Sequence, residues 1–155
     1  MATEFCCAVA GRRPARAPAE MGHDGQVIQA YSVEQIRAVE AIALERDGDE
    51  TLMRRASYAV AVVVAERVPS PHPGRRVALL VGSGNNGGDA LFAGAFLRRR
   101  GMRVTAILTD RAKAHQGGLA ALVRSGGRVL LHDDPAVKTV VGQADVIIDG
   151  LRADR

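Results

Sequence analysis

Val81-Gly82-Ser83-Gly84-Asn85-Asn86-Gly87-Gly88-Asp89-Ala90 separates a wholly apolar run, Val77 to Val81, from a stretch in which Leu91, Phe92, Ala95 and Phe96 recur at helical spacing. A short apolar strand, a Gly/Asn loop over Gly82 to Gly88 and an amphipathic helix over Asp89 to Arg100, in that order, open a parallel strand–helix–strand unit. The same alternation continues downstream. Val104 to Leu108 reads as a second strand, Gln116 to Arg124 as a helix closed by Gly126, and Arg128 to Leu131 as a third strand. A weak helix over Pro135 to Gly142 leads to a fourth strand at Val146 to Ile148. The predicted fold class is α/β: a Rossmann-like, doubly wound parallel sheet with helices on both faces.

Two helices precede the sheet. Ser32 and Gln35 have the spacing of a capping box, Val33, Ile36, Val39, Ile42 and Ala43 follow at helical period, and Gly48 supplies the stop. The second helix is expected from Thr51 to Val68, burying Leu52, Met53, Ala56, Ala59, Val60 and Val63, with Pro69, Pro71 and Pro73 forming the linker after it. Residues 1–30 carry Pro14, Pro18 and scattered charge without period and read as a disordered extension, which leaves 31–155 as one domain. A doubly wound sheet normally continues past its fourth strand, whereas here Leu151 to Arg155 follow directly, so the domain reads as incomplete at its C-terminus.

Composition narrows the function classes. The longest apolar run, Tyr58 to Ala65, is eight residues, far short of the roughly 18 that cross a bilayer. The net charge of +4 comes from 19 arginines against 2 lysines (Lys113 and Lys138), in small groups interleaved with acids. Aromatic residues are 3% and Trp is absent, so the stacking surfaces of a dedicated nucleic-acid binder are not in evidence. Cys6 and Cys7 are adjacent and have no third cysteine to pair with, which removes a disulfide framework and a cysteine metal site. No basic start followed by a long apolar core marks export, and a cytoplasmic setting is expected.

Four glycines in the seven positions from Gly82 to Gly88 point to ligand binding, because glycine permits positive φ and close ligand approach while the helix start offers unpaired N–H groups. A Walker loop is excluded, since Gly88-Asp89 stands where Lys-Ser/Thr is required. Gly82, Gly84 and Gly87 do spell the dinucleotide pattern GxGxxG, with Asp110 near the end of the second strand as a ribose-binding acid. Two helices ahead of the first strand are foreign to an ordinary dehydrogenase domain. Asp89 has the plain alternative of a helix N-cap, and Asp149 that of a strand-end turn residue. His132-Asp133-Asp134 reads as a polar turn, and His23, His72 and His115 lack ligand spacing.

Asn85-Asn86-Gly87-Gly88-Asp89 resembles the GxGNNGGDG signature of the NAD(P)HX epimerase family, the YjeF N-terminal domain. Tyr31 to Arg37 is similar to that family's opening helix, Leu52-Met53-Arg54-Arg55-Ala56 to its LMxRAG helix, Phe96 to Gly101 to the end of the loop's helix, and Asp145 to Leu151 to the start of its D-[AG]-[LI]-x-G motif. The sequence departs at Ser57 and Ala90, where glycine is usual, and at Arg152-Ala153-Asp154-Arg155, where a G-x-G turn is expected.

The resemblance implies interconversion of the R and S forms of hydrated NADH and NADPH, whose hydroxyl at C6 of the nicotinamide ring makes a hemiaminal. It also implies NADPHX held by Asn85, Asn86, Gly87, Gly88 and Asp89, a potassium ion on Asn86 and Asp149, and Asp149 as acid/base. A homodimer and a fused or separate dehydratase are compatible with it, and little activity is expected of this chain alone. The alternatives are a non-catalytic binding module of the same fold and a nicotinamide-dependent oxidoreductase domain.

Overall fold

The computed structural model describes residues 10–11 and 31–151. The disordered extension expected over 1–30 otherwise lies outside the described residues, as do the cysteines and positions 152–155. The elements run β1 (Ala10–Gly11), α1 (Val33–Asp47), α2 (Asp49–Arg67), β2 (Arg76–Val81), α3 (Asn85–Arg99), β3 (Arg103–Leu108), α4 (Gln116–Arg124), β4 (Arg128–Leu131), α5 (Val137–Gln143) and β5 (Val146–Gly150).

Four of the strands form a parallel sheet in the order β5-β2-β3-β4, and the two-residue β1 pairs antiparallel with β5. From β2 the chain steps to β3 and β4 in one direction, then returns to lay β5 on the other side of β2. Right-handed crossovers therefore put α3 and α4 on one face and α5 on the other. Val77, Leu79 and Val81 of β2, with Val104, Ala106 and Leu108 of β3 and Val146 and Ile148 of β5, point to the first face. They form the core there with Val60 and Val64 of α2, Leu91 and Leu97 of α3, and Leu119 and Leu122 of α4.

Local signals set most of the boundaries. The capping box of α1 is formed: Ser32 Oγ accepts from the Gln35 N–H, and Gln35 Oε1 accepts from the Ser32 N–H at 2.8 Å. Gly48, at φ 78°, closes α1 and opens α2 without a spacer. Helix α1 buries none of its apolar stripe, with Val39 and Ile42 more than 65% exposed, and among the described residues its main packing partner is α2. Two expectations need correction. The buried face of α2 is Met53, Ser57, Val60, Ala61, Val64 and Ala65, so Ala56, Ala59 and Val63 face outward. Helix α3 starts at Asn85, four residues before Asp89, so the Asn-Asn-Gly-Gly segment is helical rather than loop.

Leu79→Ala, which empties a wholly buried site, is expected to cost about 2–5 kcal/mol in global stability by denaturant titration. Ser32→Ala should instead lower helical content by circular dichroism while leaving the global midpoint in place, since α1 contributes no buried side chain.

Candidate functional site

Ligands of open α/β sheets sit at the carboxyl ends of the strands, where the strand order reverses. In this sheet that point lies between β2 and β5, whose tips are in register: Leu80 opposite Asp149 and Val81 opposite Gly150. The Gly82 N–H donates to the Gly150 carbonyl at 3.2 Å and carries the pairing one step beyond β2.

The first turn of α3 is pressed onto these tips. A Cβ at Gly87 would overlap the carbonyl oxygen of Gly82, and one at Gly150 would lie 2.8 Å from the Asn86 carbonyl oxygen and 2.7 Å from Ala90 Cβ. Backbone is against backbone at both positions, so no side-chain rotation could make room. The turn reaches this seat through Gly84, whose φ of 83° suits glycine alone. No side chain caps α3, and helix geometry leaves the N–H groups of Asn85, Asn86 and Gly87 without an intrahelical acceptor.

The five loop residues divide into two sets. Asn85 is exposed and Asn86 half-buried, next to the open segment Ser83–Gly84. Gly87, Gly88 and Asp89 are buried. Asp89 is the fifth residue of α3, so it is not the N-cap; its carboxylate turns into the interface with α2, where Oδ1 accepts from Ser57 Oγ at 3.0 Å. Ser57 Oγ also lies 2.7 Å from the Met53 carbonyl oxygen. Burial pushes the Asp89 carboxyl up to about 6, the Ser57 hydroxyl and the nearby His115 oppose the rise, and Asp49 adds to it.

Ser57 and His115 are the residues that sequence reading passed over. His115 caps α4, its Nδ1 accepting from the Gly118 N–H at 3.0 Å, and its ring packs against Phe92 and the backbone of Gly88. The signal for Ser57 was its departure from the glycine expected there. For His115 it was the position three residues before Gly118, at the spacing of a cap.

Asp149, on the face of β5 opposite α3, is exposed, and one of its oxygens accepts from the Leu151 N–H at 2.9 Å. Asn86 lies against Gly150, the next residue. The sheet therefore brings Asn86 and the Asp149 segment together and leaves the Asp89 carboxylate out of that group. An amide oxygen and a carboxylate are donors suited to a hard monovalent cation; among the described residues no group of three His, Cys, Asp or Glu could hold a metal. Asp110 closes its own turn, accepting from the Ala112 N–H at 2.8 Å, and Asp134 does the same with Ala136.

Asp89→Asn keeps an acceptor for Ser57 but removes the titration. The native carboxyl binds its proton more tightly folded than unfolded. Its contribution to stability is thus full below about pH 4 and is lost as pH rises through about 6. The melting temperature of the variant minus that of the native chain should increase from pH 4 to pH 7.5, by an amount equivalent to at most about 3 kcal/mol. A difference that does not move with pH would show that Asp89 does not titrate as its burial requires. Gly87→Ala should cost at least roughly 1–3 kcal/mol in the same measurement, whereas Gly142→Ala, where a Cβ meets nothing, should be neutral or slightly stabilising.

The family described as YjeF-related protein N-terminus matches residues 49–153. Among curated relatives, the bifunctional NAD(P)H-hydrate repair enzyme Nnr of Mycobacterium tuberculosis is 43% identical over 124 residues, which are 78% of this chain and 25% of that protein. The NAD(P)H-hydrate epimerase of Microbacterium testaceum is 37% identical over 143 residues, 89% of this chain and 52% of that protein. The chain thus spans between a quarter and about half of these relatives' lengths. The crystal structure of yeast ynu0 superposes with a TM-score of 0.67 at 20% identity, covering 81% of this chain and 57% of the yeast chain, a likeness of fold. Among the described residues, no helix is long and apolar enough to cross a membrane.

Proposed function

The chain belongs to the YjeF-related N-terminal family, and from that premise we propose that its β2–β5 tip serves epimerisation of hydrated NADH and NADPH. The observation that supports this reading is the meeting of the uncapped α3 N-terminus and Asn86 with the Asp149–Gly150 segment at the point where the sheet reverses.

The chemistry asks little beyond that. The substrate's C6 hydroxyl sits beside the ring nitrogen. A proton delivered to the hydroxyl oxygen lets the nitrogen lone pair expel water as the C–O bond breaks, leaving an iminium. Water then adds to the other face and gives up a proton, so atoms and charge balance without a redox partner. Asp149 is the carboxylate in place to hold that proton, its second oxygen free of the Leu151 contact. The N–H groups of Asn85, Asn86 and Gly87 suit the pyrophosphate. Asn86 and Asp149 supply oxygen donors for a potassium ion, which when bound would add positive charge beside the anionic substrate. Gly88 and Asp89 act behind this surface, seating the turn against α2 and α4. The reading sets the chain in the cytoplasm with the reduced nicotinamide nucleotides, with a dehydratase, fused or separate, as its working partner, and with a homodimer as its assembly.

A chiral chromatographic assay of R/S exchange, with protein in excess of NADHX so that slow turnover is visible, tests the proposal. The native chain should exceed the buffer rate, and Asp149→Asn should lower that excess by roughly 10²-fold or more. Unchanged exchange in Asp149→Asn would remove that residue from the proton transfer. A native rate equal to buffer, with NADHX still bound, would leave a binding module in place of an enzyme.

A further inference from the structure

At the opposite edge of the sheet from the α3 N-terminus, β2, β3 and β4 each begin with an arginine: Arg76, Arg103 and Arg128. Register makes these a cluster. Arg76 pairs with Arg103, and Arg128 with Thr105, so the strand alternation sets all four side chains on the face that carries α5. With Arg98 and with Val140 and Gln143 at α5, they line a cavity of 310 Å³, a volume at the small end of ligand sites.

The charge in this cavity is not balanced from within. Arg76 Nη1 donates to Gln143 Oε1 at 2.8 Å, and Arg98 donates to the carbonyls of Met102 and Ser125. These neutral acceptors orient the guanidinium groups and leave their charge in place. Asp145, an acid at the same edge, accepts from the Arg76 backbone N–H and from Arg75 Nη1. Among the described residues, Arg103 and Arg128 have neither an ion pair nor a hydrogen bond from their side chains.

Neighbouring strands lie about 4.8 Å apart, so three like charges crowd one short edge, an arrangement that an anion relieves. The planar fork of arginine matches phosphoryl oxygens, and the Thr105 hydroxyl adds a neutral donor. Three cations spread over two strand spacings, about 10 Å, with Arg128 two residues further along the strands than Arg103, exceed what a single phosphate engages. We propose that this amino-edge cavity binds a compact polyphosphate anion of two or more phosphoryl groups, either free or as the diphosphate of a nucleotide. The site stands about 17 Å from the α3 N-terminus along β2 and is independent of the epimerase reading.

Titration of the ¹⁵N-labelled chain with inorganic pyrophosphate at fixed ionic strength tests the site, with calorimetry for affinity. The expected amide shifts cluster at Arg76, Arg103–Thr105, Arg128 and Gln143. The double variant Arg103→Gln/Arg128→Gln should weaken binding at least about tenfold, while Arg37→Gln on α1 leaves it unchanged. ADP shifting the same amides supports a nucleotide diphosphate as occupant; pyrophosphate alone doing so supports the free anion. Shifts confined to residues 84–88, equal weakening by Arg37→Gln, or a double variant within twofold of native would overturn the proposal. If the double variant does not fold, the shift map of the native chain decides.

Discussion

The seat of α3 on the β2 and β5 tips is the contact on which the site depends. Two carbonyl oxygens, those of Gly82 and Asn86, occupy the space where side chains at positions 87 and 150 would have to be. A carbonyl within a strand tip or a helix turn has no rotamers to try, so any Cβ there lifts the helix off the sheet. Lifting it would break the alignment between the N–H groups of Asn85–Gly87 and the end of β5. Glycine here acts through packing as much as through conformational freedom. Gly84 is the position where positive φ is what matters.

The strand–helix alternation was legible because buried parallel strands are short apolar runs bounded by turn residues; β4 and α4 fall where the sequence puts them. The start of α3 was not. Gly costs about 1 kcal/mol per helical position relative to Ala, and Asn is a weak helix former, so Asn-Asn-Gly-Gly reads as loop. The contacts of Gly87 and Gly88 with β2, Met53 and His115 override that local preference. The phase of α2 failed for a different reason. Tyr58 to Ala65 is apolar throughout and gives the helix no polar side to orient it. The residue that marks the buried face is the polar Ser57, whose hydroxyl is satisfied by Met53 and Asp89.

That pair also changes what the acidic residue of the glycine-rich segment does. A carboxylate at the end of an Asn-Asn-Gly-Gly run reads naturally as a ligand contact or a helix cap. Five residues into α3 it instead faces α2, and a single hydroxyl 32 positions upstream is its side-chain donor. One neutral donor compensates burial only in part, hence the raised carboxyl. Sequence spacing carried no trace of this, since the partner arrives through helix packing. Ser57 in place of the usual glycine is coupled to Asp89 by that hydrogen bond.

With Gly87, Gly88 and Asp89 buried, the surface offered by the glycine-rich segment reduces to Ser83, Gly84, Asn85, part of Asn86 and a set of backbone N–H groups. Such a surface suits negative charge and little else; on the proposed reading it does not distinguish a hydrated nicotinamide from an intact one. Discrimination must come from across the tip, and the chain reaches that side only because the return from β4 lays β5 against β2 rather than beyond β4. That reversal sets the backbone of Asn86 against Gly150, the residue after Asp149. A sheet built in simple sequence order would have kept the same glycine-rich turn with β3 and β4 between it and β5. Chemistry beyond anion binding therefore rests on strand order as much as on the residues of the loop.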